Sequence, residues 1–181
     1  MFPEVSMERL AITTRARDIT QHVAFAREHH VGIEIQIYGY DPNLLDGDWR
    51  ALVIRHKALL RNFEGEIALH GAFYDMYSAS VDKRIAAVTR ERYLLNLRIA
   101  AELGACHVVF HANYLPALHH PDYLVGWTRR QVVFWNDLAE EAQRLGVVIV
   151  LENMWEPEPG IIAGVLEQVD SPHLAACLDV G

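Results

Sequence analysis

The chain has 181 residues, 51% of them hydrophobic, with no linker-like or low-complexity run, so composition points to one globular domain with a sizeable core rather than a disordered chain. A formal charge of −8 argues against the basic face that phosphate-backbone binders carry, and so against a nucleic-acid partner. The longest aliphatic run, from Val147 to Leu151, is far too short to span a bilayer, and the opening MFPEVSMER lacks the basic-then-apolar layout of a signal peptide; no membrane partner and a cytoplasmic location are expected.

In chain order, short apolar runs alternate with longer helical patterns. LAITT from Leu10 reads as a first strand, and Asp18 as the N-cap of the helix after it. GIEIQIY from Gly32 is a second strand. Asp48 then caps a helix in which Trp49, Leu52, Val53, His56, Leu59, Leu60 and Phe63 recur at helical spacing. IALHGAF from Ile67 is a third strand, followed by a helix capped at Asp82 and stopped by Gly104, where Arg90, Arg92 and Arg98 read as a solvated side. HVVFHANY from His107 is a fourth, and its helix stops at Gly146. VVIVLENM from Val147 is a fifth. Ile161, Ile162, Val165, Leu166 and Val169 mark one more helix, and LAACLDVG from Leu174 is the sixth strand. Cys106 and Cys177 form no CxxC and sit in apolar segments, which predicts reduced core thiols.

Strict alternation of strand and helix means parallel strands, in an open doubly wound sheet or a (β/α)8 barrel. No GxGxxG follows any strand, and polar residues collect at strand ends, as barrel chemistry does. A barrel averages roughly 31 residues per βα unit, so this length supplies about six units of eight. The expected fold is α/β: an incomplete (β/α)8 TIM barrel, residues 1–181 forming a single domain that lacks its C-terminal units. The two outer strands of such a sheet would have unpaired edges and favour homo-oligomers.

Four strand ends carry the chemistry: His70, His111, Glu152 and Asp179. Alternation puts Glu152 on the face of Val148 and Val150, the barrel interior, where a carboxylate must be paired, protonated or coordinated. Asp179 shares its face with Ala175 and Cys177, and the same argument applies. Each histidine alone fits a neutral core residue equally well. Together the four form a mixed nitrogen and oxygen set suited to Zn²⁺, Mn²⁺, Co²⁺ or Fe²⁺ rather than Ca²⁺. Glu34, alternating with Ile33 and Ile35, points into the same interior or into an ordinary ion pair. Trp155, and Tyr114 and Trp127 with the HHPDY loop at 119–123, are candidates to cover a sugar face.

HGAFYDMYSASVDKRI, LGACHVVFHANY, FWNDLAEEAQRLGVVIVLENM and DSPHLAACLDVG resemble successive motifs of the sugar phosphate isomerase/epimerase group in the xylose isomerase-like barrels, a superfamily that also holds the endonuclease IV type of abasic-site nuclease. The resemblance runs from about Leu10 to Gly181. It implies a divalent ion (Mn, Zn, Co or Mg) bound by Glu152 and Asp179, proton transfer through an enediolate by Glu152, and a substrate pocket lined by His70, His111, Glu34 and Trp155. The implied partner is a small sugar or sugar phosphate. Family members carry a histidine directly after D-x-G, then a histidine and a glutamate from later strands. Those are absent here, so the 181 residues alone are expected to be poorly metallated and inactive. The competing functions are an abasic-site nuclease with a zinc cluster, which would bind an additional zinc at the two histidines, and a non-catalytic barrel remnant.

Overall fold

The computed structural model describes residues 10–118, 120 and 122–180, and every structural statement concerns those residues; MFPEVSMER, His119, Pro121 and Gly181 lie outside them. Six parallel strands run in sequence order: β1 (Ala11–Thr14), β2 (Gly32–Ile35), β3 (Ile67–His70), β4 (His107–His111), β5 (Val148–Glu152) and β6 (Leu174–Cys177). They alternate with helices α1 (Thr20–Glu28), α4 (Trp49–Leu59), α5 (Lys83–Leu103), α6 (Tyr123–Leu145) and α7 (Gly160–Val169). Two short helices, α2 (Ile37–Tyr40) and α3 (Pro42–Asp46), occupy the connection between β2 and α4. Sequence patterning missed both, because IYGY continues the apolar run of the strand and PNLLD is too short to show a helical period.

Helix ends follow the sequence closely. The Asp48 and Asp82 carboxylates accept from the backbone N–H groups of Ala51 and Arg84, satisfying first-turn donors. Asp18 stands one residue earlier than expected; it accepts from Thr20, while Ile19 holds the cap position of α1. Gly104 and Gly146 end α5 and α6 in the left-handed region, at φ 73° and 69°, where a Cβ would be strained.

Register decides which side chains share the barrel interior. Thr13 pairs Glu34, Glu34 pairs Ala68, His70 pairs Val109, His111 pairs Glu152, and Glu152 pairs Cys177. In-register residues of parallel strands face the same way, so Glu34, His70, His111, Glu152 and Cys177 lie on one face. The opposite face is apolar: Ile33, Ile35, Leu69, Val108, Phe110, Ile149 and Leu151 are all fully buried against the helices. Among the described residues β1 pairs only with β2, and β6 only with β5, so the sheet is open along those two edges. The open sheet also explains why Val148 and Val150, on the inner face of β5, are only half-buried while Ile149 and Leu151 are sealed.

Several expectations are corrected. Cys106 is exposed and Cys177 half-buried, so neither is a core thiol, although both are free; Cys106 precedes β4, and Cys177 ends β6 on the inner face. Arg90 and Arg92 do not merely face solvent: Arg90 holds Asp137 on α6 and Arg92 holds Asp46 on α3, clamping α5 to its neighbours. Trp127 is 1% exposed and packs edge-on against Tyr114, a core role rather than a cover for ligand.

Candidate metal and acid-base site

His70, His111 and Glu152 are the last residues of β3, β4 and β5, and their ligand atoms lie within 4.8 Å of one another. Both histidines address the same oxygen: His111 Nε2 is 2.8 Å and His70 Nε2 is 3.4 Å from Glu152 Oε2. The rings meet edge to face at 4.9 Å, and Phe73 closes one side, 5.0 Å from His70 and 5.8 Å from His111. Strand geometry alone explains the meeting, since adjacent parallel strands deliver their terminal inner-face residues to one spot.

The ring of His70 has a fixed orientation. Its Nδ1 stands 2.9 Å from the Gly71 carbonyl oxygen, an acceptor only, so Nδ1 donates and a neutral ring presents its Nε2 lone pair to Glu152. A lone pair facing a carboxylate requires a positive charge between them, either a proton on His70 or a divalent cation. The donor set, two imidazole nitrogens and a carboxylate within bonding reach of one point, therefore fits a borderline cation such as Zn²⁺.

The titration behaviour follows from the same contacts. Hydrogen bonds from His111 and His70 hold the Glu152 carboxyl down to about 2 against the opposing pull of burial. For His70, burial is the largest influence and acts to lower its value. The hydrogen bonds to Glu152 and Gly71, with the fields of Glu34 and Glu152, together outweigh it and raise His70 above its usual range. These shifts make stability depend on pH. A depressed Glu152 contributes above its ordinary 4.5 and is lost as pH falls toward about 2; a raised His70 contributes fully below its ordinary 6.5 and is lost as pH rises through its folded value. The Glu152 shift comes first from His111 and then from His70, and the part shared with His70 contributes most between those limits. Glu152→Gln should therefore lower the melting temperature most between pH 4.5 and 6.5, by about the amount expected for one partly buried pair, and progressively less as pH rises through the folded value of His70. A melting difference that is flat with pH would remove the pair from the stability account.

Glu34 accepts from Gln36 Nε2 at 2.8 Å rather than entering an ion pair, and Gln36 in turn accepts from Arg15. Cys177 stands in register with Glu152; burial first, then the negative fields of Glu152, Glu34 and Asp179, push its thiol up. Those four groups thus share one space. Removing a negative charge from it should favour the thiolate, so in a Cys106→Ser background Glu34→Gln should speed reaction of Cys177 with a thiol reagent at neutral pH by a few-fold. An unchanged rate would place Glu34 outside that space.

Two expected members are not among the three converging groups. Asp179 is exposed, two residues past β6, and its backbone exchanges hydrogen bonds with the Asn153 side chain at 2.8 and 3.0 Å. It is not among the three residues whose ligand atoms converge. Trp155 is 58% exposed, and its backbone N–H donates to Glu156. Sequence reading missed Phe73 and Tyr40, whose rings line up beside His70 with 6.3 Å between them. The signal was present in GAFYD, where an aromatic pair follows the histidine, but nothing in the pattern says which way a loop residue turns.

Similarity to known proteins is consistent with this geometry. A curated relative, an uncharacterized protein of Methanocaldococcus jannaschii, is 28% identical over 125 residues, which cover 66% of this chain and 42% of that protein. A Thermus thermophilus protein whose structure was solved after soaking with ZnCl2 is 30% identical, with a TM-score of 0.76 over 94% of this chain and 65% of that one. A D-tagatose 3-epimerase-like protein superposes with a TM-score of 0.75 at 23% identity, covering 95% of this chain and 65% of that one, a likeness of fold. The chain thus spans less than two thirds of the length of each. Residues 24–181 match the profile of one family over most of the chain, and with six parallel strands in sequence order and polar strand ends on one face, the protein belongs to the xylose isomerase-like TIM barrel family.

Proposed function

We propose that the protein is a metal-dependent sugar or sugar phosphate isomerase or epimerase that moves a proton at the carbon next to a carbonyl. The observation that carries this reading is the Glu152 carboxylate, held ionised at about 2 at the point where His70 and His111 converge. Both histidine contacts fall on Oε2, which leaves Oε1 to take the proton from carbon and return it. His70, its Nδ1–H held by the Gly71 carbonyl, turns Nε2 toward the same point and serves as a ligand rather than as a proton donor. Glu152, His70 and His111 would hold the divalent ion, with Asp179 as a further carboxylate from the β6 side. A bound cation supplies polarisation of the carbonyl oxygen, so that negative charge developing on it costs less. Phe73 and Tyr40 offer an aromatic edge to the apolar face of a sugar ring. Sugar epimerases among the proteins of the same fold support the substrate class.

The convergence of two imidazoles and a carboxylate also favours a second reading, a zinc site that activates water for hydrolysis, as in an abasic-site nuclease. The formal charge of −8 weighs against it, because a duplex must be met by basic surface. Proton NMR in D2O separates the two. With zinc, manganese or cobalt present, a panel of ketoses, aldoses and their phosphates should show deuterium entering the carbon beside the carbonyl, and Glu152→Gln should abolish it. Incision of abasic DNA with no deuterium uptake from any sugar would replace the first reading by the second.

A further inference from the structure

We propose that Asn96 and Gln131, two fully buried amides on α5 and α6, are positioning residues that orient His70 and His111; the inference rests on the metal reading above. Asn96 is 0% exposed. Its Oδ1 accepts from the Ala72 N–H at 2.9 Å, and its Nδ2 donates to the Tyr38 carbonyl at 2.9 Å. The Ala72 N–H and the Gly71 C=O belong to one peptide group, which is planar and moves as a unit. The C=O edge of that group takes the Nδ1 proton of His70. Asn96 therefore grips one edge of the plate whose other edge sets the tilt of the imidazole, and through it the aim of Nε2.

Gln131 acts one strand on, through the backbone that leaves His111 rather than through its ring. It too is 0% exposed; its Nε2 donates to the carbonyl of Ala112, the residue after His111, at 2.5 Å. Its Oε1 accepts from Ser78 Oγ at 3.0 Å and from Trp135 Nε1 at 2.5 Å. One side chain so fixes the exit of β4 and the loop that follows β3. Asn113 adds a cross-tie, donating to the Met76 carbonyl at 2.7 Å. A buried amide is an expensive way to fill space unless its polar atoms are paired, and here one pairing of each amide falls on the backbone just past a candidate ligand, at Ala72 and at Ala112.

The test is zinc affinity by competition with a chelating dye, read beside thermal stability. Asn96→Leu should weaken zinc binding about tenfold, the low end of what loss of an orienting partner does at metal sites. Asn96→Asp keeps the Oδ1 acceptor for Ala72 but sets an oxygen against the Tyr38 carbonyl, so it should bind zinc more tightly than Asn96→Leu at similar or lower stability, as a partial rescue. Val23→Ala, a buried change on α1 far from the site, supplies the control: it should lower the melting temperature without touching zinc affinity. Affinity that tracks stability alone across the three variants overturns the proposal, and so does undiminished binding in a folded Asn96→Leu. Should Asn96→Leu not fold, the wild type still decides. By linkage, zinc that fixes His70 must tighten the bonds that fix it, so side-chain amide protons of Asn96 and Gln131 should exchange several-fold more slowly with zinc bound. Exchange that zinc leaves unchanged overturns the proposal; a wild type that takes no zinc sinks the metal reading beneath it instead.

Discussion

Glu152→Gln is expected to cost at least about a hundredfold in zinc affinity while leaving the fold intact, more than the loss of an orienting partner would cost because a ligand itself is removed. Glutamine has the size of glutamate, and its amide oxygen still accepts one imidazole N–H, so the contact between β4 and β5 survives. What disappears is the charge. Without it, two largely buried histidines converge on a neutral amide, and a cation entering the group meets no negative partner. Competition with a chelator of known affinity measures the loss, and circular dichroism checks the fold. Affinity retained within tenfold would show that Glu152 is not a ligand, leaving the ion to some other set of donors. His70→Ala and His111→Ala give the complementary result: if both are ligands, each should weaken zinc binding rather than only the binding of sugar. The expectation of poor metallation drawn from Glu152 and Asp179 alone took no account of these nitrogens, which give the chain a three-donor set within its first five strands.

The legible part of the fold was whatever repeats at fixed spacing. Six strands could be placed because β-branched runs alternate with 3.6-residue patterns, and because Gly104 and Gly146 sit where only a residue tolerant of positive φ ends a helix well. The face of Glu152 was legible too, since a strand has a period of two, whereas Glu34, His70 and His111 each fitted an ordinary structural role until the register placed them on one face. Distance was not legible. Asp179 shares that parity but follows β6 by two residues, in a turn whose path is set by hydrogen bonds with Asn153 rather than by the pleat. The direction of Trp155 was equally hard to read, because no periodicity controls a loop residue. Asn96 and Gln131 were invisible because an amide inside an amphipathic helix reads as an ordinary polar break in the pattern, and only the fold shows which backbone it meets.

Two glycine substitutions should have opposite signs, and the larger effect falls on the candidate site. Gly39 lies in α2, buried, where the helix passes over the end of β3. A Cβ there would come well under 3.0 Å from the Gly71 carbonyl oxygen and carbon and from the His70 oxygen, all of them backbone. A side chain could swing aside; the exit of a central strand cannot. In an open helical position Gly→Ala would gain roughly 1 kcal/mol from the smaller entropy loss. At Gly39 the overlap should overwhelm that gain and leave a net loss of about 1–3 kcal/mol or more, the usual range for forcing an extra methyl into packed structure. Gly164 in α7 is the contrast, because a Cβ there meets nothing within 4 Å. Gly164→Ala should stabilise by up to about 1 kcal/mol, a rise of roughly 2–4 °C in melting temperature for a chain of this size. The site adds a second readout. The strand end that Gly39→Ala must displace includes the carbonyl that orients His70, so this variant should lose zinc affinity along with stability, and Gly164→Ala should keep it unchanged. Denaturant unfolding and zinc competition on the two variants decide the matter: a Gly39→Ala protein as stable as wild type would mean that α2 and the end of β3 do not approach as closely as the Gly39 and Gly71 backbones require.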